Sequence, residues 1–299
     1  MWKRIQLTGC LLAFCCVATA SAQHAGVESG PRIEITQLMR AHPIGLAWWV
    51  HGGWRESLSD SSHLLLKGTY AEGGTKVMLS PASAHPGLYI KVMPITPLVL
   101  DIEAQQLRFF GLFGTVKEYP ANQAHWGPDT RDGSITQGRH ETGWRINAKA
   151  TLQLKFGPAF LQFAYRSEWL WMNIDPTSRW YDPTTDLLYG RADRLDRTDA
   201  TAGAFVVGEP GDERFVLIGA HWQGYWIRDT GVRRHILGGI VLTKPGWWSA
   251  QQFTLGLLAG YNAVDVYRKN EIYAGLIAKV AWDGLGRHRG VRPSTQTPR

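Results

Sequence analysis

Serine and histidine lie together in one short segment of the chain, in the combination that hydrolases use. Ser61 and Ser62 directly precede His63, and His51 and His85 lie nearby in sequence. A histidine can activate a serine hydroxyl as a nucleophile when an acid or an amide orients its ring. No Ser-Asn-Gly context surrounds the pair, and a solvated serine-rich loop explains the same residues. A lipid hydrolase that uses Ser62 and His63 is therefore retained as an alternative hypothesis.

Metal-binding residues are present, but their spacing does not favour a metal site. The ten histidines are scattered, and none forms a His-x-x-x-His pair. The segment 173–199 carries six aspartates, whose oxygens could bind calcium, together with four arginines. The glycine-centred spacing of an EF-hand loop is missing, and the arginines can neutralise the acids. We expect a salt-bridged or constricting loop here, and neither a metal nor a cofactor.

Charged side chains recur at alternate positions of several segments, as expected for the inner wall of a barrel. Such charges can set ion selectivity, or they can pair across the lumen and plug it, and both outcomes remain open at this stage. The candidate pore-lining residues are Lys91, Asp101, Glu103, Arg145, Lys149, Lys155, Arg166, Glu168 and Lys279.

Long alternating strands must position these charges. In residues 144–156, apolar side chains occupy the even-numbered positions and polar ones the odd-numbered positions. This run of alternation exceeds the ~5–6 residues of common globular strands and suits the ~9–11 residues that a tilted strand needs to cross a bilayer. Gly157-Pro158 predicts a tight turn, and residues 161–171 alternate again, so the two segments form a hairpin.

The whole chain shows a similar organisation. Further predicted strands are 44–56, 64–70, 75–79, 88–93, 98–105, 200–207, 216–226, 233–242, 253–261 and 272–282, with a possible short helix at 34–40. Short connections (94–97, 157–158, 208–213, 244–249) alternate with longer ones (111–142, 173–199, 262–270), as in outer-membrane barrels. Because lipid offers no hydrogen bonds, the sheet must close on itself. We predict an all-β fold, an antiparallel transmembrane β-barrel of ten to twelve strands, with twelve favoured.

The N-terminus has the three parts of a secretory signal peptide. Lys3 and Arg4 precede an apolar stretch at 7–20, and Ala20-Ser21-Ala22 gives the small-x-small cleavage pattern. The apolar stretch is too short to span a membrane. All three cysteines lie inside this signal, so the mature chain is predicted to contain no disulfide.

The composition limits the possible partners. The net charge of +7 is concentrated in the signal peptide and the tail 284–299, so it does not indicate a nucleic-acid partner. The tail is rich in Gly, Arg, Pro, Ser and Thr, which predicts a disordered basic end. The 14 tryptophans suit the two aromatic girdles of a barrel. A periplasmic sugar-binding β-sandwich explains the same tryptophans and stays as a second alternative.

Over residues 40–283 the chain resembles uncharacterised proteobacterial outer-membrane β-barrel proteins. The resemblance depends on the signal peptide, on the alternating strands, on the segment Leu79-Ser80-Pro81-Ala82 and on the closing stretch from Glu271-Ile272-Tyr273 to Ala281-Trp282-Asp283. It implies a Gram-negative outer-membrane location, outer-membrane lipid and lipopolysaccharide as partners, and insertion by the barrel assembly machinery. Trp282 is the candidate for the terminal aromatic signal, although the chain continues to Arg299.

The sequence therefore predicts four parts. They are a signal peptide (1–22), an N-terminal periplasmic segment (23–43), an outer-membrane β-barrel (44–283) and a disordered basic tail (284–299). The predicted function is a small passive channel or a structural barrel with a charged lumen, and enzymatic activity is not expected.

Overall fold

The computed structural model describes residues 29–41, 44–112, 116–120, 138–182, 185, 187–209, 212, 214–245, 252–265 and 271–283. The predicted signal peptide with its cysteines and the predicted tail lie outside these residues. None of the described residues forms a helix that is long and apolar enough to cross a membrane. The described strands are β1 (Gly30–Ala41), β2 (Ile44–Ser57), β3 (Tyr70–Ser80), β4 (Ser83–Ile95), β5 (Leu98–Phe110), β6 (Glu118–Pro120), β7 (His140–Phe156), β8 (Ala159–Met172), β9 (Ser178–Asp182), β10 (Leu187–Tyr189), β11 (Ala192–Val207), β12 (Phe215–Ile227), β13 (Arg233–Lys244), β14 (Gln252–Asp265) and β15 (Ile272–Asp283).

Twelve of these strands form one closed antiparallel barrel. Their order around the wall is β1-β15-β14-β13-β12-β11-β8-β7-β5-β4-β3-β2. The first and last strands close the sheet, with Arg32 opposite Asp283 and Arg40 opposite Gly275. Closure leaves no sheet edge, so the backbone groups of the wall can pair without water. The predicted twelve-stranded barrel and the β7–β8 hairpin are confirmed.

Two segment predictions are wrong, and their errors cancel in the strand count. The predicted strand 64–70 is a turn, in which Leu66 N and Lys67 N both donate to His63 O at 2.9 Å. The predicted helix 34–40 and the larger part of the periplasmic segment 23–43 belong to β1, so the barrel begins at Gly30 rather than at residue 44. Pairing with β2 and β15 along its length makes β1 a strand, because such long-range contacts override local preference.

The two faces of the barrel wall are reversed relative to a soluble protein. On β7, outward-facing Trp144 and Ile146 are 57% and 41% exposed, whereas inward-facing Arg145 and Asn147 are buried. The same reversal recurs around the wall, where outward leucines and isoleucines such as Leu88 and Ile102 are exposed. A continuous apolar outer face is the property of a wall in contact with lipid. The chain is therefore a transmembrane barrel of the outer-membrane type.

The two ends of the barrel differ. The end where β1 starts and β15 finishes, here called the terminus end, carries the connections 58–69, 96–97, 157–158 and 208–214. Connections do not sort by length alone, since 58–69 is long. This loop lies against the turn after β4, where Thr96 N donates to Leu65 O and Thr96 Oγ1 to Leu64 O, both at 2.9 Å.

The opposite end, called the capped end, is covered by a small second sheet. Strands β6, β9 and β10 pair in the order β10-β9-β6 within the two long connections. Trp180 on β9 is fully buried, lies edge-on to Phe109 of β5 at 5.5 Å and donates from Nε1 to Gly190 O at 3.0 Å. Arg234 of β13 donates to Thr185 O at 3.2 Å, so the connection after β8 reaches into the barrel mouth. This is the constricting arrangement expected for that segment.

Candidate functional site in the barrel lumen

Charged side chains from opposite walls line one cavity in the middle of the lumen. The cavity has a volume of about 60 Å³. Lys279 of β15 and Lys149 of β7 both line it, although six strand positions separate β15 from β7 around the twelve-stranded wall. Side chains from both sides of the wall therefore narrow the lumen to this cavity at this level.

The predicted pore-lining residues lie at three levels of the barrel. The cavity is lined by Lys91, Asp101, Glu103, Lys149, Arg166 and Lys279. Arg145 and Glu168 lie buried nearer the capped end, with Arg145 Nη1 at 3.7 Å from Glu168 Oε2. Lys155 lies at the terminus end, where its ammonium pairs with the half-exposed Glu209.

Glu34 is the centre of the first ion-pair group. Its Oε2 accepts from Lys279 Nζ at 2.9 Å and from Arg32 Nη2 at 3.0 Å. His51 Nδ1 lies 3.8 Å from the other carboxylate oxygen. These contacts join β15, β1 and β2 across the seam at which the barrel closes.

Glu103 is the centre of the second group. It pairs with Lys76, which reaches it from β3 past the intervening strand β4, and it accepts from Asn147 Nδ2 at 2.9 Å. Lys91 Nζ lies 3.9 Å from Asp101 Oδ2 on the neighbouring strand. A pair that skips a strand must extend over the inner surface of the wall, so it narrows the lumen.

A third group lies towards the terminus end. Glu72 accepts from Arg55 Nε at 2.8 Å and Arg55 Nη2 at 2.5 Å, and its other oxygen accepts from Tyr89 OH at 2.8 Å. The Arg55 guanidinium also lies over the Tyr70 ring, 4.2 Å from its centroid. Both charged partners are buried, so the geometry of this pair is held by packing and by two charge-assisted hydrogen bonds to the same carboxylate oxygen.

Several residues of these groups were not among the sequence candidates. They are Arg32, Glu34, His51, Arg55, Glu72, Lys76 and Tyr89. For β1 a usable signal existed, because Arg32, Glu34 and Thr36 alternate with apolar Ile33 and Ile35. On β3 the signal was weaker, since Glu72 and Lys76 are separated by two glycines rather than by an apolar residue.

The serine–histidine segment lacks the geometry of a catalytic pair. Ser61 Oγ accepts from the backbone N of His63, and His63 Nδ1 accepts from Leu65 N at 3.3 Å. His63 lies at the terminus end, whereas His85 is buried near the capped end against Phe109. The alternative hypothesis of a hydrolase at this segment gains no support from the structure. Among the described residues, no cluster of His, Asp and Glu has the arrangement to hold a metal ion.

A hydroxyl–imidazole contact that the sequence did not indicate lies in the opposite wall. Thr201 Oγ1 and His221 Nδ1 are 2.7 Å apart, and both residues are buried. No hydrogen-bond partner is found for His221 Nε2 among the described residues. Since the pair is enclosed and nothing orients the second nitrogen, it contributes to packing of the wall.

Comparison with known proteins finds barrels of the outer membrane. No protein-family model and no curated protein sequence matches the chain. The β-domain of the Bordetella autotransporter BrkA is 15% identical at a TM-score of 0.47, covering 86% of this chain and 99% of that one. An outer-membrane channel from Pseudomonas putida is 9% identical at a TM-score of 0.42, covering 87% and 98%. LpxR from Salmonella typhimurium is 8% identical at a TM-score of 0.39, covering 84% and 99%.

Proposed function

We propose that the protein is a closed outer-membrane β-barrel, which spans the membrane but does not act as a general diffusion pore. The observation that carries this proposal is the narrow lumen, where Lys149 and Lys279 from distant parts of the wall line one cavity of about 60 Å³. The capping sheet is a second observation in favour of the proposal, because its residues Trp180 and Leu187 are buried at the mouth of the barrel. Of the two roles that the sequence left open, the structural barrel is favoured over the passive channel.

The proposed location is the outer membrane of a Gram-negative bacterium. The signal peptide at residues 1–22 would direct export and would then be cleaved. Support comes from the apolar outer face and from closure of the sheet, which suit a lipid environment. The capped end carries the two longest connections, so we place it outside the cell and both termini in the periplasm.

The contacts of the lumen favour the closed state. Opening a pore requires the side chains at Glu34 and Glu103 to separate together, because each carboxylate is held by more than one partner.

A second candidate is a gated conduit for small anions. The charged residues that line the cavity are five bases and three acids when His51 is neutral. A ring with excess positive charge selects anions. This function requires a stimulus that displaces the cap.

Planar-bilayer conductance of the refolded mature protein tests the proposal. The wild type is expected to show no steady conductance above the lipid background. A Trp180→Ala variant should loosen the capping sheet. A double variant, Trp180→Ala with Glu103→Ala, also removes the ion-pair partner of Lys76. We therefore expect the conductance to rise from the wild type to the single variant and again to the double variant. Stable conductance steps in the wild type would overturn the closed barrel, and their reversal potential in a salt gradient would test the anion conduit. Extraction of the expressed protein from cell membranes without detergent would overturn the membrane location.

A further inference from the structure

A compact group of arginines stands on the outer wall near the capped end. Asp196 of β11 is buried beneath it, and its Oδ1 accepts from Tyr165 OH at 2.8 Å, Ser167 Oγ at 2.9 Å and Arg194 Nε at 3.0 Å. Arg228 Nε donates to Asp196 Oδ2 at 2.5 Å. Both carboxylate oxygens of Asp196 thus accept hydrogen bonds. The bonds from Arg194 and Arg228 fix the positions of these two guanidinium groups.

Tryptophan rings hold the same guanidinium groups from the side. Arg228 lies 3.7 Å and Arg233 5.1 Å from the centroid of the Trp226 ring, and Arg194 lies 5.3 Å from that of Trp169. Cation–π contacts of this kind pre-position an arginine without using its hydrogen-bond donors. We call Arg194, Arg228 and Arg233 the arginine cluster.

The arginine cluster keeps donors for an external anion. The side chains of Arg194 and Arg228 are each 40% exposed, and Arg233 is exposed as well. Among the described residues, the only hydrogen bond from the Arg228 side chain is the one from Nε to Asp196. Asp196 is the one carboxylate that forms ion pairs with the cluster among the described residues. The two other acids adjacent to it in sequence are the exposed Asp229 and the buried Asp193, whose Oδ1 is occupied by the backbone N of Arg194 and of Asp229. Fork-shaped guanidinium donors match the oxygens of a phosphate group.

An apolar groove lies farther along the same strands, towards the terminus end. It has a volume of about 590 Å³, within the range of ligand sites, and its outward lining includes Leu161, Phe163, Ala202 and Trp222. Ala200 also lines the groove, and it lies opposite Phe163 on β8 and Trp222 on β12. Ala200 follows Asp196 by four residues along β11. At strand spacing this is about 13 Å along the wall.

We propose that the arginine cluster and the groove together form a binding site for one phosphorylated glycolipid of the outer leaflet. The phosphate binds to the arginines at the level of Trp169 and Trp226, and one acyl chain lies in the groove. The choice of the outer-leaflet glycolipid over a glycerophospholipid depends on the proposed orientation, with the capped end outside the cell.

Native mass spectrometry of the refolded, delipidated protein in a neutral detergent tests the site. The probes are bisphosphorylated lipid A, the same lipid without phosphates, phosphatidylglycerol and inorganic phosphate. The first variant is Arg194→Gln with Arg228→Gln, and the second is Arg233→Gln, which leaves the contacts to Asp196 intact. Ala202→Phe fills the groove. Arg108→Gln is the matched control, because Arg108 is an exposed outer-wall arginine near the same end that bonds only to Gln106 among the described residues.

The wild type and Arg108→Gln are expected to bind phosphorylated lipid A equally. The Arg194→Gln, Arg228→Gln variant should bind it at least about tenfold more weakly, and Arg233→Gln several-fold more weakly, because charge-assisted hydrogen bonds are lost. Removing the lipid's phosphates should have the same effect on the wild type, whereas Ala202→Phe should weaken binding of both lipid forms. Unchanged affinity in both arginine variants overturns the site. Equal binding of phosphatidylglycerol, or displacement by inorganic phosphate, overturns the assignment to the glycolipid, and none of these results depends on whether the lumen conducts.

Discussion

Glu72 offers the sharpest test of the ion pairs that fill the lumen. Its side chain is 3% exposed and accepts two hydrogen bonds from Arg55 and one from Tyr89. Glu72→Ala leaves the Arg55 guanidinium buried without its carboxylate partner. Loss of one member of a buried pair costs about 3–5 kcal/mol of unfolding free energy. The variant should therefore unfold at a clearly lower urea concentration.

The assay is reversible urea unfolding in lipid vesicles, followed by tryptophan fluorescence. Glu209→Ala is the matched control, because Glu209 also pairs with a cation but its side chain is 47% exposed. Its loss should cost about 0–1 kcal/mol. The double variant Arg55→Met, Glu72→Leu should recover most of the stability, since apolar side chains of similar volume can replace a buried pair.

A double-mutant cycle on Arg55 and Glu72 then isolates their interaction. We expect a coupling energy of about 2–3 kcal/mol. If Glu72→Ala cost no more than Glu209→Ala, or if the cycle gave no coupling, the lumen pairs would not hold the barrel closed and the reasoning would be refuted.

Three further predictions concern other parts of the molecule. Trp180→Ala should free the cap, so that trypsin cleaves at Arg179 or Arg191 faster than in wild type, whereas Trp171→Ala on the outer wall, 43% exposed, should leave cleavage unchanged. Gly74→Ala should lower the unfolding free energy by about 1–3 kcal/mol, because its Cβ would lie 2.2 Å from Gly52 O. Gly52→Ala meets no atom within 4 Å and should be near neutral, and equal effects of the two substitutions would contradict the register of β2 and β3. His63→Ala should leave the lipid composition of the cells unchanged, and altered acyl chains in the variant would restore the hydrolase hypothesis.

The architecture was predictable because alternation extends along whole strands. In β7, inward polar residues such as Asn147 and Gln153 are buried in the barrel, Lys149 and Lys155 are partly buried, and apolar residues such as Trp144 face outward. The β7–β8 turn was equally clear, since Gly157 adopts a φ of +55° that favours glycine. These signals are local, so a single sequence contains them.

The errors arose where structure depends on distant contacts. Residues 34–40 become a strand because β15, from the other end of the chain, pairs with them. Residues 64–70 have strand-like leucines but fold over the next turn through Thr96. The ion pairs themselves were beyond sequence analysis, because Lys76 reaches Glu103 across an intervening strand. Only the curvature of the closed wall brings such residues together.

Cysteine labelling at Lys149 tests the closed lumen most directly. Lys149 lines the central cavity and forms no ion pair among the described residues, so Lys149→Cys removes no such contact. All three native cysteines lie in the predicted signal peptide, so the mature chain carries only the introduced thiol. Asn173→Cys, in the exposed connection after β8, is the control for an accessible site.

A membrane-impermeant maleimide is then added to the folded protein in vesicles. The account predicts rapid labelling of Asn173→Cys and no labelling of Lys149→Cys until urea unfolds the barrel, because a cavity of about 60 Å³ does not admit the reagent. Labelling of Lys149→Cys in the folded state at the rate of the control would contradict a lumen closed by its own side chains.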